Sequence, residues 1–371
     1  LSTMVLVTLS GGANIYAGGD YMQKAMFPHD FSIQGKGVTG EQMEQALTEF
    51  VNEQQLPVTK KGVYPYYTMG VTSRADNQLD INAAAQKFVT PKTYILAISE
   101  ADYQSMTGKS LDLGDDEVAL YQQGVKLDSK QDLQLAGQTF KIKEELKEDF
   151  IFGHLPDQMN MIVPEKIYMV LKNPDQIFSA MTDKYAVNLN YYGWLDTKLS
   201  TEEQRNLRDA YQEKLQQFNQ TLPENQAVYG SVTAFDKQEI KGMLGGMFFI
   251  GIFLSIVFML GTILIIYYKQ ISEGYEDRDR FVILQKVGLD EKQIRQTIRK
   301  QILIVFFLPL AFAFIHLTFA YHMLSLILSA LGVLNSALML AVTLGVCAIF
   351  FISYVIVFMI TSRSYRKIVS M

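Results

Sequence analysis

Residues 243–268 read MLGGMFFIGIFLSIVFMLGTILIIYY, a run of 26 residues without one charged side chain. About 20 apolar residues let a helix cross roughly 30 Å of hydrocarbon, so the run predicts a transmembrane helix over 242–268. Downstream, 302–326 is also uncharged, although it contains Pro309, His316 and His322, and a third apolar run occupies 337–361. Both are long enough to span. Upstream the text changes character: from Gly18 to Lys241 it is polar, charged and rich in turn residues. A mean hydropathy just above zero therefore averages two unlike regions.

The first residues, LSTMVLVTLSGGA, are apolar but too short to cross, have no basic segment before them and do not begin with Met. A signal peptide needs positive charge ahead of its apolar core. Residues 1–17 are therefore read as the outer end of a truncated transmembrane helix. The fold class expected is an α-helical membrane protein with an inserted α+β extracellular domain, built on a partial N-terminal span plus three full transmembrane helices.

Charge orients this arrangement. Lys269, Arg278, Arg280, Lys286, Lys292, Arg295, Arg299 and Lys300 follow the first full span, and Arg363, Arg366 and Lys367 follow the last, whereas 329–336 has no basic residue. Short loops rich in Lys and Arg stay in the cytoplasm. The expected map is an extracellular domain over 18–241, a cytoplasmic coupling segment over 269–301, a short outer loop over 327–336 and a cytoplasmic tail over 362–371, in the cell membrane. Residues 18–241 carry 32 acidic and 22 basic side chains, an acidic surface that weakly favours cationic ligands and more simply keeps a domain soluble. Cys347, the single cysteine, lies in the last span, so the domain must be held by its own core.

Within the domain, DFSIQGKG (30–37) alternates like a strand, and Thr39 with Gln42 forms a capping-box pattern opening a helix to Gln55. Further strands are predicted at 63–71, 93–98, 117–122, 133–142, 167–171 and 184–192. Ser200 with Glu203 caps a second helix through residue 222, whose Leu207, Tyr211, Leu215 and Phe218 recur at spacings of three and four. The segment 222–232 then leads back to the membrane.

The signals for chemistry are sparse. Gly108-Lys109-Ser110 resembles the end of a phosphate-binding loop, but Tyr103 stands where Walker A needs another glycine. His29, His154, His316 and His322 are scattered singly without carboxylates or cysteines at ligand spacing. No nucleophile elbow or paired catalytic carboxylates stand out, so the chain reads as a non-catalytic membrane subunit with no cofactor of its own and no nucleic-acid partner. Pro309 and His316 are the intramembrane candidates for function: the first removes a backbone donor, the second is ionisable in lipid. For both, simple packing is the competing reading. Gly242 and Gly246 form a G-x-x-x-G match that permits close helix approach. Tyr64, Tyr66, Tyr191 and Trp194 are candidates for an amphipathic ligand surface, against the plainer expectation of core packing.

The most informative segment is 272–301, SEGYEDRDRFVILQKVGLDEKQIRQTIRKQ, with apolar Phe281, Leu284 and Val287 spaced by three. That spacing makes an amphipathic helix, ending near Gly288, with Asp290 placed to cap a second helix into the next span. It suits docking to a cytoplasmic partner, or equally a helix lying on the inner leaflet.

The same segment resembles FtsX-like and MacB-like permeases of ABC transporters, in which a Glu- and Arg-rich helix leads to a hydrophobic pair, a basic residue and glycine. Here it reads Glu276-Asp277-Arg278-Asp279-Arg280, then Ile283-Leu284-Gln285-Lys286-Val287-Gly288. The run after the glycine departs from the usual basic pattern with Asp290-Glu291-Lys292. Within that family the chain is most similar to the bacitracin-resistance (Bce-type) permeases of Gram-positive bacteria, on YYKQISEGYEDRDRFVILQKVGLD, FFLPLAFAFIHLTFAY and SEADYQSMTGKSLDLGDDEVALY. The resemblance implies a C-terminal part of a ten-helix permease. It implies Glu276, Arg280, Phe281, Leu284, Lys286 and Gly288 as the contact with a cytoplasmic ATPase dimer that binds ATP. It further implies a partner membrane histidine kinase and, as ligand, a peptide antibiotic or lipid-linked cell-wall precursor, with a function in resistance and sensing. Lipoprotein release or small-molecule export of the MacB-like type, and FtsX-like control of a cell-wall hydrolase, are the alternatives.

Overall fold

The computed structural model describes residues 1–82, 91–156, 165–181, 185–286, 291–330 and 336–369. The chain divides into two compact units, one of residues 22–240 and one of residues 1–21 with 241–371.

In the first unit, the described residues form strands β1 (Phe31–Lys36), β2 (Val58–Val71), β3 (Ser73–Ala75), β4 (Gln78–Asp80), β5 (Thr93–Ser99), β6 (Glu117–Gln123), β7 (Leu133–Leu135), β8 (Gln138–Glu145), β9 (Glu165–Leu171), β10 (Val187–Thr197) and β11 (Ala227–Val232). They hydrogen-bond in the order β11-β1-β10-β2-β5-β9-β6-β8-β7-β4-β3. Pairing is largely antiparallel, with parallel β5/β9, β6/β8 and β4/β7 contacts. Helices α2 (Gly40–Gln54), α3 (Glu100–Thr107), α4 (Pro174–Phe178), α5 (Thr201–Asn206) and α6 (Arg208–Thr221) lie between strands in sequence.

Strand alternation explains why both sheet faces bury apolar side chains. Ile95 and Ala97, Ile167 and Met169, and Val118 and Leu120 enter one core with Phe178 and Phe140. Their sequence neighbours Leu96, Ile98, Ala119, Tyr168 and Val170 enter another, closed by Tyr103 and Met106 of α3 and by Phe150, Ile151 and Leu155. At the β11-β1-β10 end, Phe31, Ile33 and Leu195 pack under α2 and α6 through Phe50, Tyr211, Leu215 and Phe218.

The structure departs from the sequence expectations at three places in this unit. The strand expected over 133–142 is two strands, β7 and β8, joined at Ala136 and Gly137, both at positive φ (52° and 83°). Two consecutive left-handed residues make the tight hairpin turn whose twist suits antiparallel strands. The helix expected through residue 222 is divided at Leu207, whose N–H is shared between the carbonyls of Glu203 and Gln204. The segment 222–232 ends in β11, an edge strand paired with β1. Its outer edge is closed by a side chain: Asn219 of α6 accepts from Val228 N–H at 2.7 Å and donates to Val228 O at 2.8 Å. Asn219→Ala leaves those two backbone groups without their partners and is expected to cost about 1–2 kcal/mol, read as a lower unfolding midpoint with an unchanged denaturant slope.

The second unit holds most of α1 (Ser2–Met26) and of α7 (Thr233–Lys286) and all of α8 (Glu291–Ala330) and α9 (Ser336–Val369), which are long helices. Among the described residues, three stretches are long and apolar enough to cross a membrane: Thr233–Glu276, Phe306–Leu328 and Ser336–Arg363. This is a membrane protein with an α/β domain inserted between helices. The N-terminal helix runs to Met26, beyond the boundary expected at residue 17. Helix α7 passes the expected span end at 268 without a break and runs to Lys286. The charged text from Lys269 to Lys286 has one glycine, Gly274, and no proline, and such residues continue a helix as readily as they form a separate one.

Candidate functional site

Helix α7 carries the glycines and most of the expected ATPase contacts singled out above, and its packing against α1 follows from small side chains. Gly12 of α1 and Gly251 of α7 meet backbone to backbone: a Cβ added at Gly251 would lie 3.0 Å from Thr8 O and 3.5 Å from Gly12 Cα. One turn along, Thr8 and Ser255 hydroxyls hydrogen-bond at 2.8 Å. Towards the other end, the Tyr16 and Phe248 rings stack with centroids 5.0 Å apart, and Gly19 faces Leu244. Contacts that descend in α1 as they ascend in α7 make the pair antiparallel. Asn14, also on α1, is buried and donates to Ser10 O and to Thr343 Oγ1 of α9 at 3.0 Å. Hydrogen bonds of this kind between helices contribute about 0.6–2 kcal/mol each in lipid. The glycines of the expected G-x-x-x-G match, Gly242 and Gly246, instead face open space.

Pro309 sits inside α8, which remains helical through it, and the residue is exposed on the chain's surface. Proline leaves the carbonyl four residues earlier without its helical partner. At the adjoining carbonyl, Phe306 O, the buried Tyr354 hydroxyl of α9 donates at 3.0 Å, so a cross-helix bond is supplied where the ladder is weakened. His316 is exposed, its ring 6.3 Å from that of Phe312. The expected ATPase contacts lie at the far end of α7. Glu276 is exposed. Arg280, Phe281, Leu284 and Lys286 belong to α7 by backbone, their side chains lying outside the described residues, as does Gly288 altogether.

In the α/β unit, strand alternation separates the four aromatic candidates. Tyr64, Tyr66 and Trp194 share one sheet face, with Tyr64 and Trp194 rings stacked at 5.6 Å. Tyr191 projects to the opposite face, packed against α2 residues. Tyr64 and Trp194 are buried, which corrects their reading as contact surface: they are core, and only Tyr66 of the three is partly open. Burial pushes the Tyr64 and Tyr66 hydroxyls well above the ordinary phenol range, so both stay neutral. Gly108-Lys109-Ser110 has a structural answer too. The N–H groups of Leu111, Asp112 and Leu113 converge on the Glu100 carboxylate, so this nest is filled by the chain's own anion. Burial pushes Glu100 up, but these donors outweigh it and hold the carboxyl below its usual range.

A cluster that sequence spacing could not find sits at the root of α7. His29 lies in the link between α1 and β1, its ring stacked on Trp194 at 3.8 Å. Its Nδ1 lies 3.1 Å from Asp196 Oδ2 and its Nε2 3.2 Å from the His154 carbonyl. The backbone on either side of this ring holds Thr233, the first residue of α7: Asp30 O accepts from Thr233 N at 2.9 Å, and His29 O accepts from the Thr233 hydroxyl. Among the described residues, no group of three or more His, Cys, Asp or Glu could hold a metal ion.

No family model matches the chain. Two curated proteins of Bacillus subtilis (strain 168) are similar to part of it. The ABC transporter permease protein YxdM is 34% identical over 119 residues, which is 32% of this chain and 18% of that protein. The uncharacterized ABC transporter permease YvcS is 30% identical over 132 residues, 36% of this chain and 19% of its own length. The matched stretches thus span about a fifth of those relatives. The chain is a membrane protein that shares, over about a third of its length, sequence with ABC transporter permeases.

Proposed function

We propose that this chain is part of the membrane subunit of an ABC transporter. In this reading, ATP bound and hydrolysed by a separate cytoplasmic ATPase dimer moves the α/β unit outside the cell. The observation that carries the reading is the continuity of α7. One helix of 54 residues, about 80 Å long at 1.5 Å per residue, starts at the residue after β11 and ends within the segment rich in Lys and Arg. A helix whose turns are each held by their own hydrogen bonds is suited to passing motion along its length.

The basic residues at 269–300 and 363–367 favour a cytoplasmic location for that end of α7 and for the C-terminus, and hence an extracellular α/β unit. Glu276, Arg280, Phe281, Leu284, Lys286 and Gly288 are the proposed ATPase contact. The similarity to named ABC permeases supports a non-catalytic subunit, and we infer that it holds no cofactor of its own. The finer function we infer is resistance to, and sensing of, cell-wall-directed antimicrobial peptides, with a peptide antibiotic or lipid-linked precursor as ligand and a membrane histidine kinase as listening partner.

The test is survival of cells challenged with such peptides, carrying the intact protein with its ATPase, either unchanged or with Phe281→Asp and Leu284→Asp together. Two carboxylates on an apolar docking stripe are expected to abolish protection while membrane levels of the protein stay normal. Survival that never depended on the protein would sink the peptide-resistance reading and move lipoprotein release or hydrolase control ahead.

A further inference from the structure

We propose that His29 carries both ring protons and acts as a proton-dependent latch on the root of α7. The argument rests on what faces each nitrogen. Nδ1 lies 3.1 and 3.2 Å from the two carboxylate oxygens of Asp196, and Nε2 lies 3.2 Å from the His154 carbonyl oxygen. Both partners only accept hydrogen bonds, and a neutral imidazole has one N–H to give. The doubly protonated ring satisfies both at once. It is 7% exposed and lies flat on the Trp194 indole, centroids 3.8 Å apart at 16°, a face that attracts a cation.

The other charged and titratable groups around it fit the same state. Asp196 of β10 also accepts from Asp30 N–H at 3.1 Å, and Lys60 of β2 is within electrostatic reach. Burial pushes Asp196 up, but the His29 ring, the Asp30 N–H and Lys60 outweigh it and hold the carboxyl below its usual range. The Asp30 carboxylate is engaged by Thr197 N–H and hydroxyl at 2.8 and 3.1 Å, and Lys237 of α7 lies near it. Burial, the His29 charge and Lys60 together push His154 down and keep that ring neutral. Tyr64 and Tyr192 are held neutral by burial.

Residues 29 and 30 then hold Thr233 through two backbone carbonyls. Loss of the His29 proton removes the ring's hydrogen bond either to the His154 carbonyl or to the half-buried Asp196 carboxylate, which then keeps only the Asp30 N–H. The chain segment that anchors the first turn of α7 loses its fixed position. The latch is closed in a window of pH. It opens on the acid side when Asp196 is protonated, which its lowered value places below the ordinary carboxylate range, and on the alkaline side when His29 loses its proton. Entry to the rod that we assign to transport is thereby tied to external proton concentration, whatever the transporter carries.

The test is hydrogen–deuterium exchange of the intact protein in lipid nanodiscs, following peptides that cover residues 27–34 and 228–238 with intrinsic exchange rates divided out. Protection at Thr233 is expected to fall about tenfold, the effect of losing one charged hydrogen bond, as the pH is raised until the ring can no longer donate from both nitrogens. His29→Gln and Asp196→Asn are each expected to remove the dependence, while His154→Gln keeps it. Should His29→Gln fail to fold, Asp196→Asn and the unchanged protein carry the comparison. A flat profile in the unchanged protein overturns the latch, as does a dependence that survives Asp196→Asn or disappears in His154→Gln.

Discussion

Tyr211→Ala is expected to destabilise the α/β unit by about 3–5 kcal/mol, the cost of emptying a fully buried aromatic site. Tyr211 is 0% exposed and sits where α6 crosses β1, its ring centroid 5.5 Å from Phe31 and 4.7 Å from Phe50. Its hydroxyl donates to Ser32 O at 2.8 Å in the middle of β1. The ring thus joins both layers: α2 supplies Phe50, the sheet supplies Phe31, and β11, which feeds α7, packs in the same core through Val228 and Val232. Tyr211→Phe separates the two contributions. It keeps the ring and removes the hydroxyl's hydrogen bond to a Ser32 carbonyl that remains in the paired strand β1, for an expected loss of about 0.5–1.5 kcal/mol. Thermal and denaturant unfolding of both variants in detergent micelles checks the ladder of effects. Equal losses for the two would mean that the hydrogen bond, not the ring, organises this core; no loss for either would mean that α6 is not anchored there.

Much of this unit was legible because its signals are local. Thr39 with Gln42 and Ser200 with Glu203 each form the complete reciprocal cap expected from the pattern. The alternating apolar text of β5, β6 and β9 marks strands, and the spacing of Tyr211, Leu215 and Phe218 marks the buried face of α6. The same two-residue period separates Tyr191 from Trp194: odd and even positions on a strand face opposite ways, so the two could never have formed one surface. What the text hides is whatever depends on a distant partner. β3 and β4, three polar-rich residues each, are strands only because they pair with one another and with β7. His29 and Asp196 lie 167 positions apart, and no local pattern announces that a single histidine will find both a carboxylate and a carbonyl. In the membrane unit the apolar runs were plain, but their ends were not. A charged helix that continues a span and one that starts afresh have the same composition, so only the structure joins 242–268 to the docking segment.

The glycines show that limit most sharply, and Gly251→Leu is expected to separate α1 from α7. The G-x-x-x-G spacing drew attention to Gly242 and Gly246, which face open space, while the close approach is made by Gly251 against Gly12 and Thr8. A side chain at Gly251 would begin 3.0 Å from a backbone oxygen, Thr8 O, and 3.5 Å from a backbone carbon. Neither can turn aside as a flexible side chain would, so the helices must move apart. That displacement breaks the 2.8 Å Thr8–Ser255 bond and unseats the Tyr16–Phe248 stack. Overpacking of this kind costs about 1–3 kcal/mol, with the lost interhelical bond added. Gly245→Leu puts the same leucine where nothing lies within 4 Å and is expected to change little. Because Cys347 is the single cysteine, a Cys347→Ser background allows Thr8→Cys and Ser255→Cys to report the distance directly. Their disulfide is expected to form readily with Gly245→Leu and poorly with Gly251→Leu. Equal cross-linking in both would show that α1 and α7 are not held by this contact.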